Sequence, residues 1–258
     1  MKIKQQELNP DLAIRTKDEH NEYLAQLEKN RPVPILSILI ATTKDRRFMF
    51  NNLCQEFYRQ IDLAGLSGKG LEEWSVKVTG VNTDGTESEA IAHARYTHGS
   101  LVELIFKEDN KEMSIGEKRQ WLLEQAKGEY IVYFDSDDFP KDNYVTAIVK
   151  ALEEKPDCVG FKIAMTTNGK NPQTCIHSLK NKTWRTANNT HFRNCTHFNP
   201  VLRKLALQVG FKDKRFGEDF EYSNALTPLC KTEVYIDEFL FEYRYTNTTP
   251  HAEKYGIK

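Results

Sequence analysis

Short apolar runs of strand length alternate along this chain with longer segments of helical periodicity. The predicted strands are 35–41, 74–81, 101–106, 131–134 and 158–165, and the predicted helices between them are 46–63, 88–96, 114–126 and 143–153. Runs that are apolar at nearly every position are typical of parallel strands covered on both faces. The alternation therefore predicts a single three-layer α/β/α domain with a mostly parallel central sheet.

Composition limits the classes of function. The chain has 258 residues, 39% of them hydrophobic, and a net charge of -1, so no overall basic character favours nucleic acid or a membrane surface. No apolar run approaches the roughly 18 residues of a membrane span. The five cysteines form no Cys-x-x-Cys pair. Because no signal peptide is recognised, we expect reduced thiols and a cytoplasmic protein.

The chain divides into three parts by composition. Residues 1–33 are polar and are predicted to form an N-terminal helical extension, residues 34–166 carry the alternation, and residues 167–258 follow. Within the last part, the polar stretch 167–199 is predicted to be irregular and the least ordered internal segment. Two short helices, 200–209 and 217–222, and a closing strand over 233–245 are predicted after it.

The fourth strand runs directly into a cluster of acids. Residues 131–134 are followed by Asp135, Ser136, Asp137 and Asp138. Buried negative charge at a strand end needs a cation or water, and open α/β sheets bind ligands at this edge. Asp135 and Asp137 could hold a divalent ion whose other positions take phosphate oxygens. The alternative is a turn and a cap before the next helix.

Several motifs occur in an order that resembles a known enzyme family. Thr42-Thr43 ends the first strand, Asn82-Thr-Asp-Gly-Thr follows the second, Gly116-Glu-Lys-Arg opens a helix, and Val209-Gly-Phe leads to Gly217-Glu-Asp219 after the acidic cluster. Over residues 35–245 the chain resembles the family 2 glycosyltransferases, inverting nucleotide-sugar enzymes of the A-type fold. The resemblance implies a nucleotide-sugar-binding half at 34–166 and an acceptor-binding half at 167–258.

The resemblance also implies the donor and metal residues. Asp135 would lie near the nucleotide ribose, and Asp137 with Asp135 would hold Mg²⁺ or Mn²⁺ on the diphosphate. The expected metal ligands are Asp135, Asp137 and His251. The expected contacts with the nucleotide sugar are Thr42, Asn82, Asp84, Lys118, Arg119, Asp135 and Ser136. The family's nucleobase-binding Asp has no clear equivalent here, so the base is open, with UDP as the first candidate. A tail histidine such as His251 is also typical of an exposed surface.

The Glu-Asp pair supplies the predicted catalytic residues. Asp219 would be the general base that takes the acceptor proton, and Glu218 would orient the acceptor or a loop. The alternative is that both acids only stabilise a helix N-terminus. Trp184 and Phe192 are candidates for aromatic contacts with an acceptor, or for simple packing.

Other functions remain open at this point. A sugar nucleotidyltransferase also uses paired acids, although the glycine-rich phosphate loop it needs is missing after the first strand. A non-catalytic nucleotide-sugar-binding module is the alternative outside the enzymes. The default acceptor is a glycan or a lipid-linked sugar, and nucleic acid enters only as a modified base that accepts sugar. A zinc site at His191, Cys195 and His197 would lack a fourth ligand.

Overall fold

The computed structural model describes residues 33–66, 71–81, 87–97, 101–167 and 170–245. Its strands are β1 (Leu36–Thr43), β2 (Leu71–Val81), β3 (Glu87–Thr97), β4 (Val102–Asp109), β5 (Tyr130–Asp135), β6 (Phe139–Pro140), β7 (Cys158–Thr167), β8 (Lys170–His177), β9 (Arg185–Ala187), β10 (Thr190–Arg193), β11 (Val201–Leu202) and β12 (Glu233–Tyr245). Its helices are α1 (Arg47–Leu63), α2 (Ile115–Gln125), α3 (Tyr144–Leu152), α4 (Arg203–Val209) and α5 (Glu218–Leu226). The predicted extension at 1–33 falls almost wholly outside the described residues.

The central sheet is mixed but mostly parallel. Its strand order is β4-β1-β5-β11-β7-β8-β10-β9, and β12 pairs in parallel with β7. β1 lies between β4 and β5 and is parallel to both. The two-residue strand β11 runs antiparallel to β5 and β7 and joins the two halves of the sheet.

Alternate residues of β1 and β5 pack into two separate apolar layers. Ile38 and Ile40 face α1 and α3 on one side, whereas Leu39 packs with α2, α4 and α5 on the other. Each is fully buried, which contributes roughly 1.5–3 kcal/mol per side chain. The predicted three-layer α/β/α arrangement is confirmed.

The segment 88–96, predicted as a helix, is a strand. β3 pairs antiparallel with β2 along its whole length, from Leu71 opposite Thr97 to Val81 opposite Glu87. The two strands form a separate sheet. The prediction that β2 belongs to the central sheet is therefore also wrong. The alanines of this segment favour a helix locally, but a continuous ladder with a neighbouring strand overrides that weak preference.

The prediction that residues 167–199 are irregular is wrong. β8, β9 and β10 extend the central sheet beyond β7. Polar side chains there bond within the protein; the Asn181 amide, for example, donates to the carbonyls of Ile176 at 3.1 Å and Arg193 at 2.9 Å. Composition alone suggested a solvated loop because such internal bonds leave no periodic apolar pattern.

Gly128 permits a close approach between the chain and β1. A Cβ atom at this position would lie 2.6 Å from Ser37 Oγ and 2.7 Å from Ser37 N. The Gly128 amide donates to Ser37 Oγ at 2.8 Å, and the buried Glu103 carboxylate accepts from Ser37 Oγ at 2.5 Å and Lys127 N at 2.7 Å. α2 ends earlier, at Gln125. Gly128 therefore positions the start of β5 and does not terminate the helix.

Among the helices that the structure describes, none is both long and apolar enough to cross a membrane. The five cysteines all carry free thiols.

We predict that Asn199→Ala lowers the free energy of unfolding by about 1–3 kcal/mol. Asn199 is fully buried; its Oδ1 accepts from Thr196 N at 2.9 Å, and its Nδ2 donates to Val159 O at 2.8 Å. The substitution removes both of these buried hydrogen bonds to the backbone. Urea denaturation measures the loss. The exposed Asn51 on α1 is the control, and Asn51→Ala should change stability by less than about 0.5 kcal/mol.

Candidate active site

A cleft of about 1170 Å³ opens where β1, β4 and β5 end. It is lined by side chains from both halves of the chain, and the predicted site residues among them are Thr42, Lys118, Arg119, Asp135, Ser136, Asp137, Glu218 and Asp219. Parallel register brings these strand ends to one level, with Ala41 opposite Asp135 and Thr43 opposite Asp109. The cleft therefore lies at the edge where an open α/β sheet binds its ligands.

Two basic residues near the start of α2, Lys118 and Arg119, line the cleft. Ser114 caps this helix by accepting from Glu117 N at 3.0 Å. The Lys118 ammonium donates to Thr42 O at 3.1 Å and forms a buried ion pair with Asp109. Lys118 therefore connects the ends of β1 and β4.

Arg119 joins the acidic cluster to the Glu-Asp motif. Its guanidinium is 3% exposed; Nη2 donates to both oxygens of Asp135, at 3.0 and 3.2 Å, and Nη1 donates to Glu218 Oε1 at 2.5 Å. Burial lowers the pKa of Arg119, but the charges of Asp135, Glu218 and Asp219 raise it overall. The resulting carboxylate–guanidinium–carboxylate bridge connects two motifs that are about 80 residues apart in sequence.

The three acids after β5 have different environments. Asp137 is partly exposed and its Oδ1 pairs with Arg46 Nη1 at 3.0 Å. Asp138 is 1% exposed, and its Oδ2 has no partner among the described residues. Burial, followed by the charges of Asp135 and Asp137, raises the pKa of Asp138 well above its usual value, and burial raises that of Asp137. Such crowded carboxylates are the donor set that a hard divalent cation prefers.

Glu218 and Asp219 begin α5 but have different surroundings. Gly217 caps the helix with a φ of 75°, a left-handed conformation that favours glycine. Glu218 is buried and bound to Arg119, and burial raises its pKa above the usual value although Arg119 opposes this. Asp219 is half-buried and lines the cleft, while its Oδ1 accepts from Phe220 N at 2.8 Å.

Three predicted site residues lie outside the described residues: Asn82, Asp84 and His251. Of the two aromatic candidates, Trp184 lines the cleft and contacts Phe220 edge to face at 5.1 Å. Phe192 instead packs under the Arg185 guanidinium at 3.6 Å.

The histidine and cysteine residues considered for zinc do not gather at one point. The ring of His191 contacts Thr186 and Gln173, whereas Cys195 lies with Cys158 and Cys230, their sulfur atoms within 4.8 Å of one another. These three thiols are buried in the apolar layer beneath α5. Within the part of the chain that the structure describes, this group includes no fourth ligand.

Two features of the cleft were missed in the sequence. The pairing of Arg119 with Glu218 has no local signal, because the residues are 99 positions apart. His197, considered only for zinc, lines the cleft and is 3% exposed.

Comparisons with known proteins give the family. Residues 79–210 match the model of glycosyl transferase family 2, which is about half of the chain. The chain belongs to glycosyl transferase family 2. The match includes Arg119, the acids after β5 and His197, and ends before Gly217.

Solved structures share the fold. The crystal structure of S. aureus TarS 1-349 in complex with UDP-GlcNAc matches with a TM-score of 0.51 and 12% identity, covering 81% of this chain and 58% of that one. TarS 1-349 in complex with UDP matches with a TM-score of 0.49 and 17% identity, covering 82% of this chain and 61% of that one. The chain thus spans about three-fifths of these TarS chains. No curated protein sequence matches it significantly.

We predict that Arg119→Ala destabilises the fold by about 3–5 kcal/mol near pH 7, because it leaves the buried Glu218 and the Asp135 carboxylate without their cation. The pKa of Glu218 is already above its ordinary value of 4.5 and rises further in the variant. A carboxyl whose pKa is raised by folding loses stability as the pH rises through that range, so the deficit should shrink toward about pH 5.

Urea denaturation at the two pH values measures this dependence. Arg47→Ala is the control, because Arg47 is an exposed arginine paired with Glu108 and should cost less than about 1 kcal/mol at either pH. A deficit of Arg119→Ala that is equal at both pH values would contradict the assignment of the bridge.

Proposed function

We propose that the protein transfers a sugar, with inversion, from a nucleoside-diphosphate sugar to a hydroxyl acceptor. One observation carries the proposal: carboxylates from two separate motifs, Asp137 after β5 and Asp219 at the start of α5, line the same cleft. An inverting transfer needs negative charge near the diphosphate to bind a cation and a carboxylate base near the acceptor. Family membership supports the reaction class.

The residues present fit a divalent cation. Asp137 is accessible from the cleft, Asp138 Oδ2 lacks a partner among the described residues, and burial with neighbouring charge disfavours ionisation of Asp138. We propose Asp137 as the principal ligand of Mg²⁺ or Mn²⁺, with Asp138 as a supporting carboxylate. A cation there would offset the charge on the leaving diphosphate. Asp135 is less available, since Arg119 holds both of its oxygens.

Asp219 is the proposed general base. Glu218 is held by Arg119, whereas Asp219 is half-buried on the cleft side of the helix start. In this mechanism Asp219 Oδ accepts the acceptor's hydroxyl proton as that oxygen attacks the anomeric carbon. The bond to the diphosphate breaks on the opposite face of the sugar, which gives inversion. Arg119 keeps Asp135 and Glu218 in fixed orientations while this occurs.

The two halves of the cleft have separate proposed roles. The proposed donor side belongs to the nucleotide-sugar-binding part at 34–166. It is lined by Thr42, Lys118, Arg119, Asp135 and Ser136. Trp184 and the start of α5 line the acceptor side, within 167–258. UDP is the first candidate nucleotide, as in the TarS 1-349 complex with UDP-GlcNAc. A glycan or lipid-linked sugar is the default acceptor.

A donor screen tests the proposed reaction. Thermal shift with UDP-, GDP-, CMP- and dTDP-sugars, each with and without Mn²⁺, should identify a donor whose stabilisation depends on the ion. Hydrolysis of that donor without acceptor then reports turnover, and the anomeric configuration of a transferred product reports inversion. Formation of a sugar nucleotide from a sugar phosphate would support the nucleotidyltransferase alternative instead.

We predict that Asp219→Asn reduces transfer on the order of 10²-fold or more and leaves donor affinity nearly unchanged. Asparagine keeps the size of the side chain and can cap a helix, but it cannot take a proton. Turnover assays and calorimetry separate the two effects. Glu221→Gln is the matched control, because Glu221 lies on the same helix and pairs with Lys212 and Lys214. Near-normal turnover in Asp219→Asn would remove Asp219 as the base.

We predict that Asp137→Ala abolishes the metal-dependent part of donor binding without lowering the melting temperature. Asp137 contributes to neither apolar layer, and its removal relieves charge crowding around Asp138. Calorimetry with UDP in the presence and absence of Mn²⁺ measures the effect. Asp142→Ala serves as the control, because Asp142 is a fully exposed carboxylate in the segment between β5 and α3. Unchanged Mn²⁺ dependence would refute the metal assignment.

A further inference from the structure

His197 lines the cleft with both hydrogen-bonding atoms of its ring unused. The residue is 3% exposed, and neither Nδ1 nor Nε2 has a partner among the described residues. Burying a polar group without a partner costs free energy, so such groups in native proteins call for an explanation. At the wall of a substrate cleft, the simplest explanation is a ligand that completes the bonds.

The loop that carries His197 is otherwise fully bonded. Asn194 Oδ1 accepts from Ser223 Oγ at 2.6 Å, and Asn199 Oδ1 accepts from Thr196 N at 2.9 Å. The neighbouring polar side chains are therefore fixed by the protein itself. Among the buried polar side chains of residues 194–199, the His197 ring is the one whose atoms have no partner in the described part of the chain.

The His197 ring lines the same cleft as Asp137 and Asp219. The His197 carbonyl accepts from Tyr133 N at 3.0 Å, two residues before Asp135 on β5. Burial, followed by the charge of Arg119, holds the pKa of His197 well below its ordinary value, so the ring is neutral and close to the bridge. A sugar bound in this cleft therefore shares it with the His197 ring and with Asp219.

A neutral imidazole offers one N–H donor and one nitrogen acceptor. A sugar hydroxyl has the complementary pair, whereas a phosphate offers only acceptors. We propose that the His197 imidazole hydrogen-bonds a hydroxyl of the transferred sugar. This inference rests on the function proposed above and makes His197 a binding residue for the sugar, as distinct from the nucleotide.

The ratio of two affinities tests the proposal. Calorimetry with Mn²⁺ compares UDP-N-acetylglucosamine, UDP-glucose, UDP-galactose and GDP-mannose with free UDP and GDP. For the donor that binds, His197→Leu should reduce the affinity of the nucleotide sugar relative to its free diphosphate about tenfold, the order expected for one hydrogen bond. His197→Gln should restore part of this ratio. His191→Ala, which removes an imidazole outside the cleft lining, should leave it unchanged.

The possible failures are distinguishable. If no nucleotide sugar binds to the unaltered protein, either in this panel or in the screen of UDP-, GDP-, CMP- and dTDP-sugars described above, the proposed function fails and this inference fails with it. If a donor binds and its affinity ratio is the same in His197→Leu, only the role of His197 is overturned.

A stability measurement excludes a purely structural role. Because the ring nitrogens have no partners among the described residues, a leucine of similar volume should keep or raise the melting temperature. A melting temperature several degrees lower in His197→Leu, with no change in the affinity ratio, would assign the residue to the fold and overturn the proposal.

Discussion

A buried guanidinium between two carboxylates fixes the relation between the halves of this cleft. Desolvating three charged groups is costly, and their mutual attraction compensates only when the geometry is close to ideal. Arg119 satisfies this condition through bonds to both oxygens of Asp135 and to Glu218. The end of β5 and the start of α5 therefore keep a fixed separation, which matters for a reaction that needs donor and base at a set distance.

This bridge also divides the acids of the site by role. Arg119 holds two of these carboxylates, Asp135 and Glu218, in fixed positions. Asp137 and Asp219 remain at the cleft surface for the proposed chemistry. Neighbouring acids in each motif can thus perform different tasks, because Arg119 neutralises one acid of each pair. Pairing with an internal cation is a general way to give neighbouring carboxylates different pKa values.

The sequence predicted those parts of the protein that depend on local pattern. Mostly apolar runs identified β1, β4, β5 and β7. Asp135 and Asp137, at and after the end of β5, line the cleft. The errors fall where distant partners decide the structure. β3 is a strand because it has β2 beside it. The polar stretch before β11 forms strands that pair with β7 and with one another. The Arg119–Glu218 pair and the unpaired His197 were invisible for the same reason, since neither leaves a periodic signal.

The thiol group beneath α5 has a consequence for how the protein can be studied. Cys158 and Cys195 are fully buried and Cys230 nearly so, within the apolar layer that supports the helix bearing Asp219. A thiol reagent can reach these sulfur atoms only when that layer opens. The rate at which a thiol reagent labels them would therefore measure how often the layer beneath the proposed base opens. A ligand that stabilises the closed layer would lower this rate.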